Sequence, residues 1–271
     1  MNSPDPGALP ASAAEPPGVR QDAFYGGRFH LLQPVGRGYR SGLDALLLAA
    51  TVGPDDAGAL ADLGAGSGAV GLAAACRCEG VAVTLVEKNA EMAELARRSV
   101  RLDENRPLAG RVTVLEGDIL ARRGLREAAG LFDGRFAHVL TNPPYHPHGS
   151  RPPPDPLRAE ALFGTDAQSL ARWLQVAAAL VARGGGMTAV LRADALAMAI
   201  TAVEGRLGGL RVLPIHPASD APASRILFHG RKGSRAPLAI LPGRVLHRAD
   251  GGLDPFAERV AAGEEMIGFT L

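Results

Sequence analysis

Asp62-Leu63-Gly64-Ala65-Gly66-Ser67-Gly68 is the stretch on which the reading of this chain turns. It stands between residues 59–63, a short apolar run that reads as a buried strand, and residues 69–78, an alanine-rich run that reads as a helix packed on a sheet. Glycines at such a junction let the backbone turn sharply and approach a ligand with no side chain in the way. Alone, a glycine trio serves equally as an ordinary tight turn.

Working outward, the same alternation repeats. Residues 81–86 read as a second buried strand. Residues 90–105 read as an amphipathic helix, with Met92, Leu95, Ala96, Ser99, Val100 and Leu102 on its apolar side. Strands are expected at 112–115 and 136–140, with a short helix at 122–130 between them. Further on, a helix over 167–182 is expected to end in Gly184-Gly185-Gly186. A strand at 187–191, a helix at 193–207 and strands at 210–215 and 225–229 complete the series. Upstream, residues 44–52 read as a helix, and residues 21–40 mix aromatics, glycines and arginines without clear periodicity. Repeated β-α units predict an α/β fold, a doubly wound, mostly parallel sheet with helices on both faces. Residues 1–20 are expected to be a disordered tail rich in Pro, Ala, Ser and Gly, and 21–271 a single domain.

Two acids follow the glycine turn at the expected strand ends. Glu87, with Lys88 beside it, lies roughly 20 residues on, where an acid can take ribose hydroxyls. Asp118 follows the third strand, where a carboxylate can accept from an adenine amino group, and Ile119 offers an apolar contact to the ring. Either acid could instead cap a helix. Taken in order, the three strand ends describe a pocket for an adenosine-containing ligand. The spacing is Gly-x-Gly-x-Gly and not the Gly-x-Gly-x-x-Gly of dinucleotide enzymes. Asp62 would repel a pyrophosphate and attract the cationic amino-acid end of S-adenosyl-L-methionine, so charge favours the methyl donor.

After the fourth expected strand comes Thr141-Asn142-Pro143-Pro144-Tyr145. Two prolines fix φ and remove two backbone donors, leaving a stiff loop rich in acceptors. An exocyclic amino group is conjugated with its ring and is a poor nucleophile. Asn142 Oδ1 and the Pro143 carbonyl could hold its two protons and favour a lone pair aimed at a methyl group. Tyr145 could stack on the planar face, and a base in nucleic acid would have to be flipped or unstacked. The plainer alternative is a loop whose prolines merely end a strand.

Composition narrows the class. The 271 residues are 46% hydrophobic and 21% charged with a net charge of +1, an ordinary globular balance without a global basic excess. Any nucleic-acid contact must therefore come from a local patch. Cys76 and Cys78 are too close for an unstrained disulfide and too few for a zinc site, so free thiols in a reducing cytoplasm are expected. No stretch is long and apolar enough for a membrane span, and none of the residues 1–18 form a signal peptide's apolar run.

The motifs resemble those of class I S-adenosylmethionine-dependent methyltransferases, specifically the group whose Asn-Pro-Pro-Tyr motif serves methylation of amino nitrogens. Gln33-Pro34, Gly38-Tyr39-Arg40, Gly42 and Asp44-Ala45 look like the N-terminal signature of the bacterial tRNA(Val) adenine-N6 methyltransferase family. Pro214-Ile215-His216-Pro217, Pro222-Ala223, Arg225, Arg231-Lys232-Gly233, Val245-Leu246-His247 and Asp250-Gly251 look like its C-terminal half. The likeness spans roughly residues 28–262. It implies a Rossmann-like seven-stranded sheet whose last strand is antiparallel, with RNA, tRNA first, as partner. It implies that Asp62, Gly64, Ala65, Gly66, Gly68, Glu87, Lys88, Asp118, Ile119 and Asn142 hold the cofactor. Asn142, Pro143, Pro144 and Tyr145 would hold the target amine, and Tyr39, Arg40 and Ser41 would cover the cofactor. The loop after Tyr145, His146-Pro147-His148-Gly149, departs from the aromatic expected there and is similar to the Asn-Pro-Pro-Phe-His loop of guanine-N2 ribosomal RNA methyltransferases. Those enzymes, and the glutamine-N5 methyltransferases of release factors, are the alternatives of the same chemistry. A cofactor- and RNA-binding module without catalysis is the alternative of another class.

His146 and His148 lack a visible third ligand, so no metal is expected. Arg225, Arg231, Lys232 and Arg235, with Arg28, Arg37 and Arg40 near the start, are expected to flank the pocket mouth and touch RNA phosphates.

Overall fold

The computed structural model describes residues 18–35, 42–144 and 167–269. The chain opens with an antiparallel hairpin, β1 (Val19–Phe24) and β2 (Phe29–Pro34), joined through a single 3-10 turn at Tyr25–Gly27. No clear period marked this segment, because the hairpin's partners are distant. Buried Asn105 donates to the His30 carbonyl at 2.6 Å and accepts the His30 N–H at 2.8 Å, mimicking a neighbouring strand. Ser99 Oγ accepts the Leu32 N–H at 2.9 Å.

Helix α1 (Leu43–Ala49) leads into β3 (Gly58–Leu63), α2 (Ala69–Arg77), β4 (Val81–Glu87), α3 (Ala90–Val100), α4 (Arg106–Ala109) and β5 (Val112–Glu116). Then follow α5 (Arg123–Ala128), β6 (Phe136–Thr141), α6 (Ala167–Leu180), β7 (Val181–Arg192), α7 (Leu196–Val203), β8 (Leu207–His216) and β9 (Arg225–Lys232). Two-residue strands β10 (Ala239–Ile240) and β11 (Arg244–Val245) and helix α8 (Pro255–Ala262) come last.

The seven long strands of the central sheet lie in the order β5-β4-β3-β6-β7-β9-β8, all parallel except β9, which runs antiparallel to both neighbours. This is the expected doubly wound sheet. Short β10 and β11 both pair with β8 and extend that edge. From β3 the chain winds one way through β4 and β5, then returns to the other side of β3 with β6. The switch point is therefore between β3 and β6, and ligands of open α/β sheets bind outside the carboxyl ends of the strands at such a point.

Each face of the sheet has its own apolar core. One gathers α1, α2, the hairpin and α8 around residues such as Leu47, Leu72, Leu85 and Phe256. The other gathers α6 and α7 around Phe136, Leu170, Trp173 and Phe228. Two elements differ from expectation for one reason. Gly184–Gly186 do not end a helix. Helix α6 stops at Leu180 and the glycines lie inside β7, where the register against β6 shifts between Phe136 and His138. A Cβ on Gly185 would stand 2.5 Å from the Ala137 carbonyl, so the bulge requires glycine. Likewise β8 begins at Leu207, earlier than expected, because a bulge between Gly208 and Arg211 carries the strand through the glycines. Residues 90–105 form α3 to Val100 and then a separate 3-10 turn at Asp103–Asn105.

Candidate active site

The glycine turn joins β3 to α2 with Gly64, Gly66 and Gly68 at φ of +75°, +55° and +99°. Only glycine takes this left-handed conformation freely, so the alternate spacing is a backbone requirement. Gly64 and Ala65 both donate to the Val86 carbonyl, at 2.9 and 3.0 Å, which pins the turn to the end of β4. Glu87 completes the brace. Its Oε2 accepts the Gly66 N–H and its Oε1 the Asn89 N–H, each at 2.8 Å. A carboxylate offers about four lone-pair sites, so these two bonds leave capacity for ribose hydroxyls. Lys88 beside it is exposed.

Asp62, expected to meet a cationic ligand, is 1% exposed, and its Oδ2 accepts the Gly71 N–H of α2 at 2.9 Å. Burial raises its pKa to about 7. The Gly71 bond opposes that rise and the Glu87 carboxylate adds to it. No ion pair to Asp62 is formed among the described residues, so a buried acid that would ionise readily beside a cation stands next to the turn. Asp118 is exposed, its Oδ1 accepting the Leu120 N–H at 2.8 Å. Ile119, expected to lie against a purine ring, is 2% exposed and packs in the core with Leu63, Leu131 and Trp173. Its side chain is therefore covered by core neighbours, as that of Asp62 is.

Asn142-Pro143-Pro144 leaves the end of β6, and Thr141 pairs in register with Leu63 at the end of β3. The acceptor-rich loop and the glycine turn thus start from adjacent strands at the switch point. Pro143 is buried, and Asn142 and Pro144 are half-buried. Tyr145, His146 and His148 lie outside the described residues, as do Arg37, Tyr39, Arg40 and Ser41. Sequence reasoning missed Trp173. Its indole N–H donates to Thr141 Oγ1 at 2.9 Å, and Thr141 Oγ1 donates to the Leu63 carbonyl at 2.9 Å. A lone tryptophan in an amphipathic helix reads as core, and only tertiary structure brings it to the switch point.

The basic residues need a correction. Arg225 and Lys232 are the two ends of β9, which spans about 24 Å at ~3.4 Å per residue. Arg225 pairs with Arg192 at the carboxyl edge, and its Nε reaches Asp44 Oδ2 at 3.4 Å, tying the start of α1 to the sheet. Arg231 pairs with Gly186 and Lys232 with Leu207, at the opposite edge. Arg231 donates to the Gly184 carbonyl, and Lys232 to the carbonyls of Ala179 and Val181 at 3.0 and 2.7 Å. Arg231 and Lys232, with Arg235 three residues further, therefore do not flank the pocket mouth.

Among the described residues no helix is long and apolar enough to cross a membrane, and no cluster of three or more His, Cys, Asp or Glu is placed to hold a metal ion. Cys76 and Cys78 are free thiols.

The strand order, the braced glycine turn and the Asn-Pro-Pro loop at one switch point define a class I methyltransferase. Residues 42–194 match the methyltransferase small domain family, and the chain belongs to it. A tRNA1(Val) (adenine(37)-N6)-methyltransferase from Shewanella amazonensis is 35% identical over 121 residues, 45% of this chain and 47% of the relative. The same-named protein of Shewanella putrefaciens is 32% identical over 127 residues, 47% of this chain and 50% of the relative. The chain thus spans about half the length of the curated relatives it matches. Among solved structures, a predicted O-methyltransferase from Agrobacterium tumefaciens is 36% identical, with a TM-score of 0.70, over 83% of this chain and 98% of that one. A 16S rRNA N2 G1207 methyltransferase of T. thermophilus, 22% identical with a TM-score of 0.52 over 79% of this chain and 50% of its own, shares the fold.

Proposed function

We propose that the protein is an S-adenosylmethionine-dependent RNA methyltransferase acting on the exocyclic N6 amino group of adenine, with tRNA as substrate. The reading rests on one observation: Asn142-Pro143-Pro144 leaves β6 beside the glycine turn that leaves β3, with Thr141 and Leu63 in register. The names of the Shewanella relatives support the acceptor.

The residues suit the donor. Gly64, Gly66 and Gly68 leave the turn without side chains, Glu87 retains acceptor capacity for a ribose, and buried Asp62 forms no ion pair among the described residues. When bound, S-adenosylmethionine supplies a methyl group on a sulfonium, whose sulfur recovers the bonding pair as the acceptor nitrogen takes the carbon. The chain's part is positioning and electrostatics. Asn142 Oδ1 and the Pro143 carbonyl would each accept a hydrogen bond from one N–H of the amine. That draws the lone pair out of conjugation and stabilises the charge that develops on nitrogen, and one proton then leaves to water. A hydroxyl acceptor has one proton and would use only one of these two carbonyls, so the loop favours nitrogen over oxygen.

The test is incubation with methyl-labelled donor and separate pools of unmodified tRNA, ribosomal RNA and release factor. Label in tRNA that digests to N6-methyladenosine is expected, with kcat lowered about 10²- to 10³-fold in Asn142→Ala. Label only in another pool would keep the enzyme and move the acceptor. No label in any pool, with S-adenosylhomocysteine still bound, would replace this reading by a non-catalytic one.

A further inference from the structure

The two halves of the site are joined by one side chain that belongs to neither. Trp173 projects from α6 and is 4% exposed. Its ring edge closes on the glycine turn: a Cβ added to Gly64 would stand 3.1 Å from Cζ2 and 3.2 Å from Cη2. Its indole nitrogen meanwhile donates to Thr141 Oγ1, which donates onward to the Leu63 carbonyl. Thr141 directly precedes Asn142, and Leu63 directly precedes Gly64. Both are the last residues of their strands, so the backbone ladder between β3 and β6 ends with them. Beyond that point no main-chain ladder pairs the described residues of the two loops.

We infer that the Trp173–Thr141–Leu63 relay is a positioning device that holds the Asn142 loop in register with the cofactor turn. Thr141 and Trp173 are positioning residues. Neither is placed to touch a reacting atom, and both act through Asn142 and Gly64. The buried Thr141 hydroxyl uses its one proton and one of its two lone pairs here, and in a buried setting each bond is strong and directional. The inference rests on the methyl-transfer reading for its kinetic consequence but not for its structural one.

Two variants separate positioning from packing. Thr141→Val keeps the shape of the side chain and removes the hydroxyl, and Thr141→Ser restores the hydroxyl and removes a methyl. In Thr141→Val, kcat for RNA methylation is expected to fall at least about tenfold, while affinity for S-adenosylhomocysteine stays within about threefold. Thr141→Ser is expected to recover most of kcat. Equal kcat in Thr141→Val and wild type would overturn the inference. So would a loss that Thr141→Ser does not repair, because that would mark the threonine as packing only.

A second readout needs no catalysis. S-adenosylhomocysteine binds at the Gly64 side of the relay, and amide hydrogen exchange is followed at the Asn142 side, in the peptide covering residues 136–142. Slowed exchange on binding is expected in wild type and Thr141→Ser and not in Thr141→Val. The same protection in Thr141→Val would overturn the relay even with an active enzyme. If wild type methylates no acceptor yet shows the hydroxyl-dependent protection, the proposed function fails and the relay stands.

Discussion

Asp62 is the residue whose chemistry departs furthest from its ordinary range. An aspartate on a strand end before a glycine turn reads as an acid for a cationic ligand, and its full burial against α2 was not legible. Spacing fixes neither which face of β3 it points to nor that Gly71 would donate to it. With its pKa raised to about 7, Asp62 is protonated in part of the ligand-free molecules at neutral pH. A cationic amino group brought beside it favours the ionised form, so binding releases a proton wherever Asp62 began neutral. Affinity for S-adenosylhomocysteine should therefore rise with pH until Asp62 is already ionised. Between pH 6 and pH 8 the gain is expected to be about fivefold for one pKa unit of coupling, rising to about tenfold where the complex keeps Asp62 ionised throughout. Calorimetry in buffers of different ionisation enthalpy measures the released proton directly. Asp62→Asn should bind more weakly and without that proton release. Release unchanged in Asp62→Asn would show that another group titrates.

At the scale of elements, glycine and lysine each had two readings, and the tertiary partner decided between them. The run Gly184–Gly186 follows a long apolar pattern and so reads as a helix stop. The approach of the Ala137 carbonyl, which makes it a bulge inside β7, involves a residue 48 positions away. Lys232 reads as part of a basic surface, yet its ammonium satisfies the Ala179 carbonyl in the last turn of α6 and the Val181 carbonyl where β7 begins. Terminal carbonyls of a helix lack intrahelical donors and carry the negative end of its dipole, so a cation there stabilises the helix. Removing it leaves those acceptors short of a charged donor. Lys232→Met is expected to lower unfolding free energy by about 1.5–3 kcal/mol, measured by urea denaturation. Exposed Arg235→Ala, from the same basic run, should change it by less than about 0.5 kcal/mol. RNA affinity is expected to follow Arg225 at the carboxyl edge more than Arg231 or Arg235 at the other. The opposite ranking in salt-dependent binding would return the contact surface to the far edge.

Across the whole molecule the β-α alternation was readable because each strand and helix carries its own period. The winding order followed from the resemblance and not from any one segment. What no segment revealed is that the two ends of the sheet hold buried titratable groups of opposite effect. His229 lies in β9 near the amino edge, hydrogen-bonded to Thr188 Oγ1 at 3.0 Å and stacked on Phe269. Burial lowers its pKa to about 4, with Arg231, Arg211 and His138 adding to the fall and Asp56 opposing it. The unfolded chain therefore binds more protons than the native one between about pH 4 and 6.5, and this group's stabilisation is lost as pH drops through that window. Asp62 has the reverse sign. Its folded pKa lies above its unfolded 3.8, so the native state binds more protons, and its contribution is lost as pH rises toward 7. From pH 4.5 to 6.5 the two slopes oppose and largely cancel. Single variants should expose them. His229→Gln is expected to lose stability as pH rises across this window, and Asp62→Asn to gain it, each by about 1 kcal/mol per pH unit. The double variant should again be nearly flat. Urea midpoints at half-unit pH steps on ligand-free protein measure all three. Single-variant profiles parallel to wild type would mean that the two sites are not the linked pair, and that the pH response lies in exposed carboxylates instead.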